Sequence, residues 1–175
     1  MFFRGRQPET SIWRRFRADE DGFTFERRGD HFMARVAANA ERVVDLFHVF
    51  AEALPPAVDV TVEDGRTGVR WTGRQIALPD VREGIARLKV PLSTHGGVEI
   101  SVYSPEDQLT LSAHLELFLY ARTDHWLYVL QGKGLVERAA LSSRSWRFSP
   151  ARASTAPDLA QALGATIDRL GLRKA

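Results

Sequence analysis

Four side chains in the middle of the chain are of types that can do chemistry together: Glu99, Ser112, His114 and Glu116. A carboxylate beside an imidazole can orient it as a general base, and one histidine with two glutamates can hold a divalent ion. His114 and Glu116 lie two residues apart in LTLSAHLELFLYA (109–121). On one extended strand both side chains emerge on the same side, roughly 7 Å apart between Cα atoms. The catalytic reading takes His114 as base. Glu116 or Glu99 orients it or binds metal, and Ser112 or Tyr103 assists.

The rest of that face turns aromatic, with Phe118 and Tyr120 after the polar cluster and Tyr103 beside Gln108. A patch polar at one end and aromatic at the other could line a half-open binding pocket. Two plainer readings stand beside it. Antiparallel sheets commonly leave one face in water, where Glu, Ser, Thr and His are ordinary. The aromatic end could also lie under a helix or the N-terminal arm, since large apolar patches are rarely left exposed.

Positioning these residues requires a sheet in register. Leu or Ala fills every odd position from 109 to 121, and Val98, Ile100 and Val102 alternate in VEISVY. If Tyr103 pairs with Gln108 across the SPED turn, Val102 faces Leu109, Ile100 faces Leu111 and Val98 faces Ala113. All apolar positions then share one side, which fixes register. Glu99 falls opposite Ser112, Ser101 opposite Thr110 and Gly97 opposite His114. HWLYVLQ (125–131) reads as a third strand completing a meander.

Earlier, GFTFERR and HFMARVA read as a hairpin, as do VDVTVED and the segment around Val69 and Trp71. A helix starts at Asn39, a suitable cap, and runs to Leu54, where two prolines stop it. A shorter helix is expected over 78–88, although Gly84 weakens it, followed by a loop at 93–97. LVERAAL reads as a further strand or short helix. The last element is a helix from about 156 to 170, with Ser154 or Thr155 as cap and Gly171 as its stop. The order strand-helix-strand-strand (31–72) is loosely followed by helix-strand-strand (79–121), without matching residues. The fold class is therefore α+β. A mostly antiparallel sheet of five to seven strands carries the 39–54 and 156–170 helices on one face. Residues 1–20 read as an arm and 21–175 as one domain.

Composition narrows the function further. With 175 residues, 44% of them hydrophobic, the chain has the make-up of a soluble globular protein with one well-buried core. The absence of cysteine excludes disulfides, a thiol nucleophile and thiolate metal sites. No apolar run approaches the roughly 18 residues of a membrane span, and the basic, aromatic N-terminus has no continuous apolar core of a signal peptide. The cytoplasm is the default expectation. Only three of 24 basic residues are lysine (Lys89, Lys133, Lys174), a bias that GC-rich coding produces without any phosphate ligand.

Trp13, Arg14, Arg15 and Arg17 in WRRFR, with SWRF at 145–148, could stack bases and grip a phosphate backbone. A net charge of only +2 argues against nucleic acid, and the aromatics can equally anchor peripheral segments. QGKG (131–134) lacks the spacing of a phosphate loop. His31, His95 and His125 fall in turns or at strand starts, and His48 borders an apolar helical stripe. No metal-site spacing, cofactor fingerprint or nucleophile motif is present. The leading expectation is a non-catalytic binding or protein-interaction domain, its partner another protein or a second copy. A hydrolase-type enzyme centred on His114 and Glu116 is the alternative, and a nucleic-acid binder the third.

Overall fold

A computed structural model describes residues 21–141 and 146–175. The 1–20 arm, with Trp13, Arg14, Arg15 and Arg17, lies outside the described residues. The architecture is α+β: an eight-stranded antiparallel sheet with helices packed on one face. The strands are β1 (Gly22–Arg28), β2 (His31–Ala37), β3 (Ala57–Asp64), β4 (Val69–Ala77), β5 (Val98–Tyr103), β6 (Asp107–Leu111), β7 (Leu117–Ala121) and β8 (Arg173–Lys174). The helices are α1 (Ala40–Phe50), α2 (Leu78–His95), α3 (His125–Gly132) and α4 (Pro157–Leu170). The sheet order is β1-β2-β7-β6-β5-β3-β4-β8, so two hairpins flank a central meander.

Alternation decides which side is core. Val58, Val60 and Val62 of β3, Ile100 and Val102 of β5, Leu109 and Leu111 of β6, and Leu117 and Leu119 of β7 are all buried. They form one apolar cluster with Val43, Val44, Phe47 and Phe50 of α1 and with Val81, Ile85, Leu88 and Leu92 of α2. Asn39 caps α1 as its sequence promised, its side chain accepting from the Arg42 amide. The helix then tightens into a short 3-10 turn at Ala51–Ala53 before the prolines.

The β5–β6 register is the one the apolar pattern demands, with Ile100 opposite Leu111, Val102 opposite Leu109 and Tyr103 opposite Gln108. The ladder ends at Leu111, so the expected Val98–Ala113 and Gly97–His114 pairs are not strand pairs. The Gly97 amide instead donates to the Ala113 carbonyl at 2.8 Å.

Five further expectations are corrected. The 109–121 segment is not one strand but a hairpin, β6 and β7, joined through residues 112–116. The turn is closed by the Ser112 amide donating to the Glu116 carbonyl (2.8 Å) and the Leu115 amide to the Ser112 carbonyl (2.9 Å). Leu115 takes φ +57 to drop a fully buried side chain into the core. Burial of a leucine offsets a backbone conformation that bulky residues rarely adopt.

The third strand of the meander is consequently β7, and 125–131 is helix α3. Trp126 is buried there, with its ring edge on Phe50 and its indole N–H donating to Asp107 at 3.0 Å. Helix α2 runs on to His95 through the expected loop, with Pro91 buried inside it. Gly84, which weakens that helix locally, is where α4 comes close: a Cβ there would sit 2.9 Å from Thr166 Cγ2. Finally, α4 begins at Pro157 without a side-chain cap, so neither Ser154 nor Thr155 caps it, while Gly171 ends it in the left-handed conformation. LVERAAL forms no strand of its own, only a parallel bridge of Glu137 to Phe23.

Candidate functional site: the helix-free face of the sheet

The odd-numbered side chains of β5 and the even-numbered ones of β6 and β7 lie on the face away from the helices. Neighbouring strands continue the rows. Thr24, Arg35, Phe118, Thr110, Ser101, Thr61 and Thr72 follow one another across the sheet. The row below runs Glu26, Met33, Tyr120, Gln108, Tyr103 and Asp59. The centre is knitted by hydroxyls: Ser101 and Thr110 share a buried hydrogen bond of 2.9 Å, and Gln108 Nε2 donates to Thr110 at 3.0 Å.

Because the turn at 112–116 preserves parity, Phe118 and Tyr120 stay on this face despite the broken strand, opposite Thr110 and Gln108. Both are half-buried. With Thr24, Glu26, Arg28, Met33, Arg35, Glu116 and Arg147 they line an open groove of about 490 Å³. Tyr103, the third aromatic candidate, lies two strands away beside Asp59 and does not line it.

The polar cluster is brought near, and most of its members are held by backbone and ion-pair contacts. Glu116 is buried and accepts from Arg35 Nη2 at 2.7 Å, with Arg147 at 3.9 Å. Ser112 is buried, and its Oγ accepts from the Glu116 amide at 3.2 Å. His114 lies in the turn, where its Nδ1 accepts from the Phe148 amide at 3.0 Å. An imidazole whose Nδ1 accepts carries its proton on Nε2 when neutral, so its basic lone pair is already in use. Glu99 stands opposite Glu63 across β3–β5. Burial and the Glu63 carboxylate raise its pKa, against a smaller lowering by Arg70 and His114. Among the described residues no group of three or more His, Cys, Asp or Glu could hold a metal ion.

The segment from Trp146 to Ser149 closes this end of the sheet. The Trp146 ring lies on Gly96, where a Cβ would come within 2.7 Å of it. The Phe148 ring fills the space over Gly65 and Gly97 and carries the Arg66 guanidinium 5.0 Å from its centroid. Arg66 also donates to the carbonyls of Gly96 (2.7 Å) and His95 (3.1 Å), tying this corner together. In SWRF the two aromatics are anchors and Arg147 is exposed.

The groove's other members escape sequence reasoning. Arg35, Met33 and Glu26 occupy the non-core positions of the first hairpin, and only the pairing of β2 with β7, distant in sequence, makes them neighbours of Phe118 and Tyr120. Arg147 arrives from still further along the chain. Their one legible signal is alternation: Arg35 sits between buried Ala34 and Val36. No helix of the described residues is long and apolar enough to cross a membrane. Comparison with protein-family models, curated proteins and solved structures finds no match to this chain.

Proposed function

We propose that the protein is a non-catalytic interaction module that binds a protein partner through the groove over β1, β2 and β7. The observation that carries this reading is the groove itself. Its floor is Met33, Phe118 and Tyr120, and its rim is Arg28, Arg35, Arg147 and Glu26. Aromatic, methionine and arginine side chains are the types enriched in binding surfaces. The hydrolase alternative needs a base and an accessible carboxylate. His114 has its Nδ1 occupied and Glu116 is held by Arg35, which favours a structural role for both.

A photo-reactive phenylalanine analogue at position 120 tests the proposal in cells of the source organism. The control is the same analogue at Tyr128, which is exposed on α3. The expected result is a discrete adduct from position 120 only, lost when Phe118→Ala and Met33→Ala are added. Equal labelling from both positions, or labelling that survives those changes, overturns it. Native mass spectrometry of the adduct separates a foreign partner from a second copy.

A further inference from the structure

β1 is one edge of the sheet, and only the start of that edge is covered. Phe23 turns both of its backbone groups outward: its amide donates to the Val136 carbonyl (3.0 Å) and its carbonyl accepts from the Arg138 amide (2.8 Å). The chain thus lays an extended segment of its own against β1, in a single parallel bridge of Glu137 to Phe23. Gly22 admits that segment, since a Cβ there would sit 2.8 Å from the Val136 carbonyl. Backbone direction alternates along a strand, so Phe25 and Arg27 also face outward while Thr24 and Glu26 bond to β2. Among the described residues no backbone group pairs with the outward amides and carbonyls of Phe25 and Arg27. Such groups are a template for another extended segment. Two hollows adjoin them. One is the groove already described, and the other, of about 530 Å³, is lined by Thr24, Phe25, Glu26, Glu137, Arg138 and Ala139. The two share Thr24 and Glu26, so a segment laid on the free edge borders both.

The charges select the occupant. Glu26 is paired with Arg28 at 2.7 Å, and Glu116 with Arg35. Arg27 is exposed, and its Nε donates to the Gly29 carbonyl rather than to a carboxylate. The one ionic contact of Arg147 among the described residues is Glu116 at 3.9 Å. Two arginines beside the free edge and the groove are therefore open to added negative charge. The same charges argue against a second copy. In an antiparallel self-pair the facing residues must both point outward. Centring on Phe25 drives the second copy's chain into the 136–138 segment. Centring on Glu26 sets two glutamates against each other, and centring on Arg27 two arginines. Like charges directly opposite are destabilising.

We propose that the partner docks by strand addition: an extended acidic segment of another protein pairs with the β1 edge at Phe25 and Arg27, with an apolar residue beside Phe25 and a carboxylate beside Arg27. This rests on the interaction reading above and names its mode. Main-chain bonds to Phe25 and Arg27 hold the segment, and its alternate side chains are read on the two faces. On the helix side, the apolar residue extends the stack of Phe25 on Phe32, whose centroids are 5.5 Å apart, and the carboxylate meets Arg27. The intervening residues point to the groove side, where Arg147 is open to a second carboxylate.

The test selects phage-displayed random peptides of about ten residues, the upper length of a common strand, on the full chain. The selected peptides are expected to carry a carboxylate two residues from an apolar side chain. One of them, synthesised, is added at about ten times its Kd, and amide hydrogen exchange is read by NMR. The Phe25 and Arg27 amides, fast in the free protein, should slow about tenfold, while those of Thr24 and Glu26 are slow throughout. Arg27→Pro removes an outward N–H without touching the bonds to β2, and Arg27→Glu reverses the charge. Each should weaken binding at least about tenfold, the scale of one hydrogen bond or ion pair. Arg27→Glu and the exchange data remain decisive if Arg27→Pro does not fold. Peptides that shield Phe118 and Tyr120 but leave the Phe25 and Arg27 amides fast overturn strand addition and leave the groove reading standing. Selection of basic peptides, or of none, overturns it as well. A dimer of the chain that Arg27→Glu disperses gives the edge to a second copy and overturns it too. The groove reading fails separately, by the absence of a specific adduct from position 120.

Discussion

Arg35→Met is the most informative single substitution, because it separates a structural ion pair from a reactive carboxylate. Glu116 has 9% of its side chain exposed and Arg35 32%. At 2.7 Å, and with the effective dielectric of about 20 that suits such sites, the Coulomb attraction is about 6 kcal/mol. Desolvation of the carboxylate cancels several kcal/mol of this. Removing one partner of a buried pair costs about 3–5 kcal/mol, because the other charge stays buried. Here the loss is smaller: Arg147 remains at 3.9 Å and Arg35 is partly in water, so about 2–3 kcal/mol is expected. Arg35→Met with Arg147→Met should reach the full range. Arg35→Met with Glu116→Gln should recover at least half of the single-variant loss, since no charge is left behind. Urea unfolding followed by tryptophan fluorescence measures all four chains. A cost below about 0.5 kcal/mol for Arg35→Met, the level of an ordinary surface ion pair, would refute the reasoning and return Glu116 to the list of free carboxylates.

Asn39→Ala removes the cap of α1 and should cost about 1 kcal/mol in the same unfolding assay. Gly97→Ala meets both a φ of +82 and the Phe148 ring, so a loss of at least about 1–3 kcal/mol is expected. Adding Phe148→Ala should relieve only the ring's share of the collision, because the Arg66 guanidinium also crowds that position and the backbone strain remains. The raised pKa of Glu99 gives a signed prediction. Between the ordinary carboxylate value of 4.5 and its higher folded value, the native chain holds more of this proton than the unfolded chain does. Stability from this group is therefore intact below that window and is lost as pH rises through it. Glu99→Gln should flatten the slope between acid and neutral pH, and a slope unchanged by the substitution would contradict the shift.

Much of the sheet was legible because one face is uniformly apolar. The alternation in 98–103 and 107–111 specified a register that the structure keeps to the residue. The same alternation concealed the break between β6 and β7. Ala113 and Leu115 continue the odd-numbered apolar series through a turn that contains no glycine, proline, asparagine or aspartate. Parity survived the break, so the face assignments of Phe118 and Tyr120 held, while the strand-based pairing of His114 with Glu116 did not. Helix α3 was misread as a strand because HWLYVLQ is rich in aromatic and branched residues and too short to display a helical period. The burial of Trp126 against Phe50 and its bond to Asp107 decide that segment, and tertiary contacts of this kind have no local trace. The groove was half legible. Its aromatic floor lies on one readable hairpin, whereas Arg35 and Arg147 come from distant segments.

The order of strands also dictates an order of events. β3 to β6 pair through turns and one helical connection, so most of the sheet can assemble from segments close in sequence. The β1–β2 hairpin joins only through β7, with Val36 beside Leu117 and Phe32 beside Ala121, about eighty residues further along. Closing so long a loop is entropically costly before its contacts form, which makes this pairing a late step. A chain emerging from synthesis carries the hairpin undocked, its Ala34 and Val36 uncovered, until β7 exists to receive it. The groove is assembled across this same seam. Binding there would therefore fasten together the two parts of the sheet that meet last.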